Sequence, residues 1–235
     1  LMNQQITKYG IIPHTIMDIG GNYGEISLYF SKKYPKSKIY CIEGSPQNIL
    51  IMEDNLSIQN FSTSNIQLIK KIVSNKTGLV EITTELGSEN SIVFSKTLDE
   101  TKRSKRSVIV EAKTLIDICK ELEIKEIDFL KIDIEGAEPL LEESLNILLP
   151  NIKSMLVEFS DKNSFESYEK LMRTIFSHNM ICYRKEGDFN KYPTTLSQAI
   201  DSIKPNPKKK HNIDYFFIQE KLIENDRFKK DNQIY

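Results

Sequence analysis

The amino-acid sequence predicts an α/β fold, in which a mainly parallel β-sheet is covered by helices on both faces. Short apolar runs of strand length alternate with amphipathic segments of helical period along most of the 235 residues. Parallel neighbours in a sheet need crossover connections, and the intervening helices supply them. The chain is 39% hydrophobic and 28% charged, which is typical of a globular protein able to bury one large core. We therefore expect a single domain over residues 1–235.

The first part of the pattern begins with an apolar strand at residues 15–19, which ends in a glycine-rich turn. Apolar residues at helical spacing predict a helix over 23–33, and an apolar run predicts the second strand at 38–42. Serine followed by proline caps and opens a helix over 45–58. Residues 65–73 are predicted to form the third strand.

The stretch that follows departs from the alternation. Residues 75–78 have turn composition, and short strand-like runs occur at 79–85 and 107–111 with polar sequence between them. We expect residues 78–111 to form a small inserted β-hairpin.

The alternation then resumes. Threonine caps a helix over 114–123, and apolar runs predict strands at 127–133 and 152–159. A helix over 139–149 lies between these strands and is bounded by prolines. A further helix is predicted over 164–177.

The last two predicted strands lie at residues 180–184 and 213–219. No helix-length pattern separates them, so we expect an antiparallel hairpin. Residues 220–235 are predicted to form a charged C-terminal tail.

Charge and cysteine content exclude several classes of protein. With 32 basic and 33 acidic residues the net charge is -1, so we expect no nucleic-acid partner. No run approaches the roughly 18 apolar residues of a membrane-spanning helix, and residues 1–9 lack a signal peptide's apolar core, so we expect a cytoplasmic protein. Cys41, Cys119 and Cys182 lie far apart in apolar runs, which favours reduced, buried thiols over disulfides or a cysteine zinc site.

The first candidate site is the glycine-rich turn after the first strand, Asp18-Ile19-Gly20-Gly21-Asn22-Tyr23-Gly24. Its glycines remove side chains where the backbone must approach a ligand closely. The spacing is not the G-x-G-x-x-G of dinucleotide sites, and the chain has no G-x-x-x-x-G-K-[ST] loop, which disfavours pyrophosphate cofactors and nucleoside triphosphates. Asp18 suits an ammonium group or an ordered water, and Glu43, at the end of the second strand, suits a ribose diol.

These residues together predict an adenosyl ligand that carries an amino acid. The structural alternative is a tight turn in which Asp18 caps the following helix and Glu43 is a solvated loop residue.

The second candidate site is the string Lys131-Ile132-Asp133-Ile134-Glu135-Gly136-Ala137-Glu138, which continues a buried strand. The remaining motif residues are Asp18 to Gly24, Glu43 with Pro46 and Asn48, and Val73-Ser74 before Lys76 and Gly78. Taken together, these motifs resemble the FkbM-type S-adenosylmethionine-dependent methyltransferases. The resemblance covers residues 15–159.

The resemblance implies a class I methyltransferase fold, with seven strands in the order 3-2-1-4-5-7-6 and the last strand antiparallel. It implies S-adenosylmethionine as the cofactor and a hydroxyl as the methyl acceptor. The implied cofactor-binding residues are Asp18, Gly20, Gly21, Asn22 and Gly24 beside the methionine part, Glu43 at the ribose, and Val73 and Ser74 at the adenine. Asp133 would face the reacting centre.

This sequence departs from the family pattern at three places. Gly21 stands where alanine is usual. Gly44 follows the acidic residue Glu43, at a position where proline is usual. In Thr114-Leu115-Ile116-Asp117 the aspartate lies one position later than in the usual T-L-D. None of these changes removes a polar group that the implied cofactor contacts need.

The candidate catalytic residues are Asp133 and Glu158, which end the fourth and fifth predicted strands. A hydroxyl acceptor must lose a proton, and mutual repulsion between two carboxylates could raise one pKa toward a useful value. The same pair could hold a divalent cation, Mg²⁺ or Mn²⁺, through oxygen ligands. The sequence leaves both roles open. Glu135 and Glu138 could instead cap the following helix.

Other charged residues have ordinary explanations. The three histidines, His14, His178 and His211, are not expected to act as the base. Basic stretches at 102–106 and 204–210 lie in predicted connections and would favour an anionic acceptor only if they converged on the cleft.

The sequence therefore predicts an O-methyltransferase that acts on a hydroxyl of a sugar, a glycan or a related small molecule. One alternative is a methyltransferase for a lipid, polyketide or other non-sugar acceptor. A second is a cofactor-binding scaffold without catalysis, and the missing G-x-G-x-x-G disfavours a nicotinamide dehydrogenase. The oligomeric state is not predicted.

Overall fold

The computed structural model describes residues 2–83, 92–93, 107–160, 164–186, 188–189, 193–204 and 212–223. The helices are α1 (Met2–Lys8), α2 (Glu25–Lys33), α3 (Pro46–Ser57), α4 (Leu115–Glu121), α5 (Glu142–Leu148), α6 (Phe165–Ser177) and α7 (Leu196–Ile203). The strands are β1 (Thr15–Ile19), β2 (Lys38–Ile42), β3 (Ile66–Ile69), β4 (Ile72–Val73), β5 (Gly78–Thr83), β6 (Ile92–Val93), β7 (Ser107–Lys113), β8 (Ile127–Ile132), β9 (Ile152–Phe159), β10 (Met180–Glu186), β11 (Asp188–Phe189) and β12 (Ile213–Gln219).

The main sheet has eight strands in the order β11-β10-β12-β9-β8-β1-β2-β3. Strands β3, β2, β1, β8 and β9 run parallel, and β12 is antiparallel to both β9 and β10. Numbered as predicted, the seven expected strands lie in the order 3-2-1-4-5-7-6, with the last one antiparallel. The predicted fold is therefore confirmed, and the two-residue β11 is an addition at the edge.

Two clusters of buried apolar side chains fill the two faces of the main sheet. Met17 and Leu130 belong to one cluster, whereas the preceding residues, Ile16 and Phe129, belong to the other. This alternation follows from the two-residue period of side-chain direction in a strand. Helices α4 to α7 pack on the first face, and α1 and α2 pack on the second. The helices thus lie on both faces, as predicted.

The prediction of one continuous strand over 65–73 was wrong. β3 ends at Ile69 as the edge of the main sheet, and β4 belongs to a second sheet of order β4-β7-β5-β6. Lys70 and Lys71 lie between the two strands and form ion pairs with Glu53 and Glu111. An edge strand has a partner on one side only, so the chain can leave the sheet there without breaking a ladder on its other side.

The inserted segment contains the expected antiparallel pair. β5 and β7 pair from Gly78 opposite Ala112 to Thr83 opposite Ser107. β4 adds parallel to β7, and β6 adds antiparallel to β5, so the insertion is part of a four-stranded sheet instead of an isolated hairpin. The single-domain assignment stays a prediction.

A helix lies where none was expected. α7 occupies part of the connection between β10 and β12, and a capping box between Thr195 and Gln198 starts it. The helix has eight residues, which is too short for a clear periodic pattern in the sequence. The N-terminal α1 was not predicted either.

Several predicted helix boundaries also shift. The predicted helix 139–149 is a 3₁₀ turn at Glu138–Leu141, then α5, then a second 3₁₀ turn at Leu149–Asn151. The predicted helix 23–33 starts at Glu25, because Gly24 has a left-handed φ of 83°.

Cys41, Cys119 and Cys182 are buried and free, as predicted. Among the residues that the structure describes, no helix has the length and apolarity to cross a membrane. The predicted basic stretch 102–106, most of 204–210, His211 and residues 224–235 lie outside the described residues.

Candidate functional site

A cleft of about 700 Å³ lies at the carboxyl ends of β1, β2 and β8, beside the second sheet. In α/β sheets ligands bind at the carboxyl ends of the strands, where this cleft lies. The lining residues are Ile19, Gly20 and Asn22 after β1, Ile42, Glu43, Gly44, Ser45 and Asn48 after β2, Lys71, Ile72, Val73 and Ile82 from the second sheet and its approach, and Asp133, Ile134 and Glu135 after β8.

The glycine turn is packed too tightly for side chains. A Cβ at Gly20 would lie 1.8 Å from the Asp133 carbonyl oxygen, and one at Gly21 would lie 2.3 Å from Cys41 Sγ. This close packing explains why Gly21 replaces the usual alanine. Gly20 and Asn22 line the cleft, whereas Gly21 and Gly24 are not among the lining residues and act through the shape of the turn.

Glu43 lies in the cleft with both carboxylate oxygens held by the backbone. Oε2 accepts a hydrogen bond from the Asn22 amide at 2.9 Å, and Oε1 accepts one from the Ser45 amide at 2.7 Å. Burial raises the pKa of Glu43, although these hydrogen bonds oppose the shift. A carboxylate oxygen can accept more than one hydrogen bond, so both oxygens retain capacity for a ligand's hydroxyl groups. The expected ribose contact stays a prediction.

The second sheet supplies an apolar wall beside Glu43. A Cβ at Gly44 would lie 2.1 Å from Ile72 Cγ1, so the side chain of Ile72 occupies the space that a larger residue at this position would need. Val73 lines the cleft as expected for an adenine contact, but Ser74 does not. Ser74 is fully buried, and its hydroxyl bonds to Asn75 Oδ1 at 3.4 Å.

At the turn, the buried Asn22 Oδ1 lacks a hydrogen-bond partner in the described structure, whereas Asp18 Oδ1 makes no hydrogen bond but forms an ion pair with Lys131 Nζ at 3.4 Å. Asp18 is 1% exposed, and its other oxygen accepts a hydrogen bond from Ser27 Oγ at 2.8 Å. Buried polar atoms are normally paired, so an unpaired atom beside a cleft favours a polar ligand or water there. Asp18 does not itself line the cleft, and it is joined to the site through Lys131, 3.4 Å away.

Lys131 is a site residue that the sequence reasoning missed. It pairs in register with Asp18 on the neighbouring strand, and its Nζ also lies 3.2 Å from Asp133 Oδ2. The signal available in the sequence was a lysine flanked by apolar residues within the predicted strand, two positions before Asp133.

Asp133 and Glu158 end adjacent strands, because Ile132 pairs with Val157 in the register of β8 and β9. Asp133 lines the cleft and its side chain is 31% exposed, whereas Glu158 is half-buried and is not among the lining residues. Burial, followed by the charges of Asp133 and Asp214, raises the pKa of Glu158 to about 7. Asp214, which pairs with Glu158 in register, was also missed.

The structure does not support the predicted metal site at this pair. Within the described ranges, no group of three or more histidine, cysteine, aspartate or glutamate side chains is placed to hold a metal ion. Oxygen-ligand sites for Mg²⁺ are built on carboxylates with further oxygen ligands.

Glu135 and Glu138, which the sequence left as either helix-capping or site residues, have different positions in the structure. Glu138 is 1% exposed and accepts hydrogen bonds from the amides of Ile134 and Gly136, so it fixes the turn before the helix. Tyr168 donates to its other oxygen at 2.7 Å. Burial raises the pKa of Glu138 above its ordinary value. Glu135 lines the cleft with a left-handed φ of 54°.

The described histidines do not line the cleft. His14 donates its backbone amide to Asp128, and His178 Nε2 bonds to Asn146 Oδ1 at 2.9 Å on the surface. This placement agrees with the expectation that neither acts as the base.

Comparison with known proteins places the chain among methyltransferases. The model of the methyltransferase FkbM domain matches residues 18–190. The chain is 29% identical over 148 residues to methyltransferase sdnD of Sordaria araneosa, covering 52% of this chain and 57% of sdnD. It is 23% identical over 162 residues to the 2-O-methyltransferase NoeI of Sinorhizobium fredii, covering 64% of this chain and 65% of NoeI. The chain thus spans less than two thirds of either relative.

The fold is also similar to a solved methyltransferase. The structure of the plantazolicin methyltransferase BamL, in complex with a triazolic desmethylPZN analogue and S-adenosylhomocysteine, superimposes with a TM-score of 0.50 at 12% identity. The match covers 91% of this chain and 80% of BamL. Because the domain match includes the glycine turn, Glu43 and the 131–138 string within one class I fold, the chain belongs to the FkbM methyltransferase family.

Proposed function

We propose that this chain is an S-adenosylmethionine-dependent O-methyltransferase that acts on a hydroxyl of a sugar or glycan. The observation that carries the cofactor assignment is Glu43, which lines the cleft while the amides of Asn22 and Ser45 hold its two carboxylate oxygens in place. A fixed, acceptor-only group of this kind matches the two hydroxyl groups of a ribose.

The surrounding residues fit the rest of the cofactor. Ile72, Val73 and Ile82 provide apolar surface for an adenine ring. The unpartnered Asn22 Oδ1 is suited to accept a hydrogen bond from the ammonium group of the methionine part. The presence of S-adenosylhomocysteine in BamL, which has a similar fold, supports the same cofactor class.

When bound, S-adenosylmethionine would supply an electrophilic methyl carbon on its sulfonium, and the leaving group would be the neutral thioether S-adenosylhomocysteine. The residues of this chain must orient the acceptor oxygen toward that carbon and accept the hydroxyl proton. We assign the proton to Asp133, because it is the predicted catalytic carboxylate that lines the cleft. Glu158, on the adjacent strand, is the second candidate, and its raised pKa suits a base that works near neutral pH.

Support for an O-linked acceptor comes from NoeI, which is named a 2-O-methyltransferase. The test is transfer of a labelled methyl group from S-adenosylmethionine to a panel of acceptors: oligosaccharides, polyketide-type alcohols and hydroxylated lipids. We expect product with the sugar acceptors. Product with another class only would replace the acceptor assignment, and S-adenosylhomocysteine binding without any product would favour the scaffold alternative.

The Asp133→Asn variant tests the base. This change keeps the shape of the side chain but removes its charge, so kcat should fall by about 10² to 10⁴, with nearly unchanged S-adenosylhomocysteine affinity in calorimetry. Asp201→Asn, at an exposed aspartate on α7, is the matched control and should retain the parental kcat.

Parental turnover by both Asp133→Asn and Glu158→Gln would contradict the catalytic role of this pair. Loss of activity on chelation, restored by Mg²⁺ or Mn²⁺, would assign the two carboxylates to a metal site instead.

A further inference from the structure

We propose that Lys131 is a positioning residue for methyl transfer, whose ammonium group holds the Asp133 carboxylate and the Gly20 carbonyl in one fixed arrangement. The inference rests on the proposed function and deepens it. It identifies the residue that links the cofactor-binding turn to the carboxylate that receives the acceptor's proton.

The strand register brings these groups together. Asp18 on β1 and Lys131 on β8 are direct partners in the parallel ladder. Paired residues in a sheet direct their side chains to the same face, and a residue two positions later in an extended strand returns to that face. Asp133 is two positions after Lys131, so three charged side chains share one face at the carboxyl end of the sheet.

The ammonium of Lys131 contacts three oxygen atoms. Its Nζ lies 3.2 Å from Asp133 Oδ2, 3.4 Å from Asp18 Oδ1 and donates to the Gly20 carbonyl at 3.3 Å. The side chain of Lys131 is only 9% exposed. An ammonium group has three N–H donors, and burial is tolerated when each has an oxygen partner.

The same ammonium lies within a backbone arrangement that joins three strand ends. The amide of Gly20 donates to the Ile42 carbonyl at 3.0 Å, and the amide of Asp133 donates to the Ile19 carbonyl at 3.1 Å. The Gly20 carbonyl of the same turn accepts a hydrogen bond from Lys131 Nζ. Lys131 therefore fixes the orientation of a peptide that lines the cleft.

The charges around the lysine show what an apolar residue of the same size would remove. Asp18 and Asp133 are two carboxylates with one cation between them, and Asp18 is almost fully buried. Burial lowers the pKa of Lys131, but the two carboxylates raise it by a larger amount. The net shift is upward, so the side chain stays charged. Without that cation, the two carboxylates would repel each other.

A competing explanation is that Lys131 only neutralises Asp18 and thereby stabilises the fold. The two explanations differ in what happens at the cleft when the protein remains folded. A positioning residue changes cofactor affinity and the pH dependence of kcat, whereas a purely structural residue changes only the unfolding transition.

The test compares Lys131→Met with Lys153→Met. Lys153 is the matched control, because it also forms a lysine–aspartate ion pair, of 2.6 Å, with Asp128. This pair lies at the amino ends of β8 and β9, away from the cleft. Each purified variant is measured by circular dichroism and thermal unfolding, by calorimetry with S-adenosylhomocysteine, and by the pH profile of kcat with the acceptor identified for the parental protein.

We expect Lys131→Met to bind S-adenosylhomocysteine about tenfold more weakly, to lower kcat at neutral pH at least tenfold, and to move the acid limb of the profile to higher pH. Lys131→Arg retains the cation and should restore the position of the acid limb. Lys153→Met should lose thermal stability but keep the parental affinity and profile.

A second variant keeps the test decisive if Lys131→Met does not fold. Asp18→Asn/Lys131→Met removes both charges of the buried pair, and its reference is Asp18→Asn alone. The positioning role predicts that the double variant has at least tenfold lower kcat than Asp18→Asn at saturating cofactor. Equal kcat in these two would overturn it.

A folded Lys131→Met that matches the parent in affinity and pH profile would likewise overturn the inference while leaving the proposed function intact. If the parental protein itself binds no S-adenosylhomocysteine, the proposed function fails, and this inference fails with it.

Discussion

Glu43 and Gly20 each contact backbone atoms of other segments at the site. Glu43 accepts from the amides of Asn22 and Ser45, so its position depends on two turns that follow different strands. Gly20 lies so close to the Asp133 carbonyl that any side chain would force the ends of β1 and β8 apart. Single substitutions at these positions therefore test the geometry directly.

Glu43→Gln should weaken S-adenosylhomocysteine binding by about 10- to 100-fold, because charge-assisted hydrogen bonds are worth about 1.5 to 3 kcal/mol. Glu43→Ala should be more damaging, since it also removes the acceptors of the two amides. Isothermal titration calorimetry measures both. Glu53→Gln on α3, whose carboxylate is exposed and pairs with Lys70, is the control. Parental affinity in both Glu43 variants would contradict the ribose role.

Gly20→Ala should destabilise the fold by about 1 to 3 kcal/mol, the usual cost of inserting an atom into a packed site, and should abolish S-adenosylhomocysteine binding. Gly10→Ala is a close control, because Gly10 also has a left-handed φ, of 65°, but no atom within 4 Å of the added Cβ. It should show only the backbone penalty and bind normally. Chemical denaturation and calorimetry distinguish the two, and equal losses would contradict the steric argument.

Elements are held in place by polar contacts at both ends of the sheet. At the amino end, Asp128 Oδ2 accepts from the amides of His14 and Thr15 at 2.7 and 2.8 Å, and Oδ1 pairs with Lys153. This contact aligns the start of β1 with β8. At the carboxyl end, Glu138 and Tyr168 fix the turn after β8 against α6.

Asp128→Asn should lower the free energy of unfolding by about 1.5 to 3 kcal/mol at neutral pH, the range for hydrogen bonds to a charged group. Burial raises the pKa of Asp128, but Lys153 and the two amides lower it by a larger amount, so the net shift is downward. The ionised carboxylate therefore stabilises the fold above its ordinary pKa of 3.8, and this contribution is lost as the pH falls through the lower, folded value.

Urea denaturation at two pH values checks this prediction. The difference in stability between the parent and Asp128→Asn should be large at about pH 7 and smaller at about pH 3. The affinity for S-adenosylhomocysteine should be unchanged, because Asp128 lies at the opposite edge from the cleft. A difference that does not depend on pH would contradict the electrostatic account.

Across the whole molecule, carboxylates from three strands collect at the edge of the main sheet that carries the cleft. Asp133 follows β8, Glu158 lies on β9, and Asp214 lies on β12 opposite Glu158. Lys131 and Lys185 pair with the outer two, leaving Glu158 with the least favourable charge environment. Burial raises the pKa of Glu158 most, and the charges of Asp133 and Asp214 raise it further.

This arrangement predicts that Glu158→Gln stabilises the protein at alkaline pH. The folded pKa of about 7 lies above the ordinary value of 4.5, so the folded state holds the proton more tightly, and stability falls as the pH rises between these values. At about pH 8 the variant should gain on the order of 1 to 3 kcal/mol over the parent, and little at about pH 4. Thermal unfolding across this range measures the difference, with Glu53→Gln as the control. A gain that is equal at both pH values would argue against the titration of Glu158.

Local patterns in the sequence were sufficient for much of the fold and part of the site. The alternation of strand and helix periods predicted the parallel sheet, because burial on both faces of a strand and one face of a helix leaves a short-range signature. The strand order came with the family resemblance. The glycine turn and Glu43 were identifiable because their roles depend on residue type at the end of a strand.

The features that only the tertiary structure decided depend on segments far apart in the chain. Ile72 packs against Gly44. The expected strand over 65–73 divides into β3 and β4 because β4 belongs to the second sheet. Lys131 gains its role from Asp18, its partner in the strand register. The pKa of Glu158 is raised first by burial and then by the charges of Asp133 and of Asp214, its partner in register. Side-chain periodicity shows that a residue is buried, but not which charge lies opposite it. That pairing is set by strand register, which is fixed only when the whole core packs.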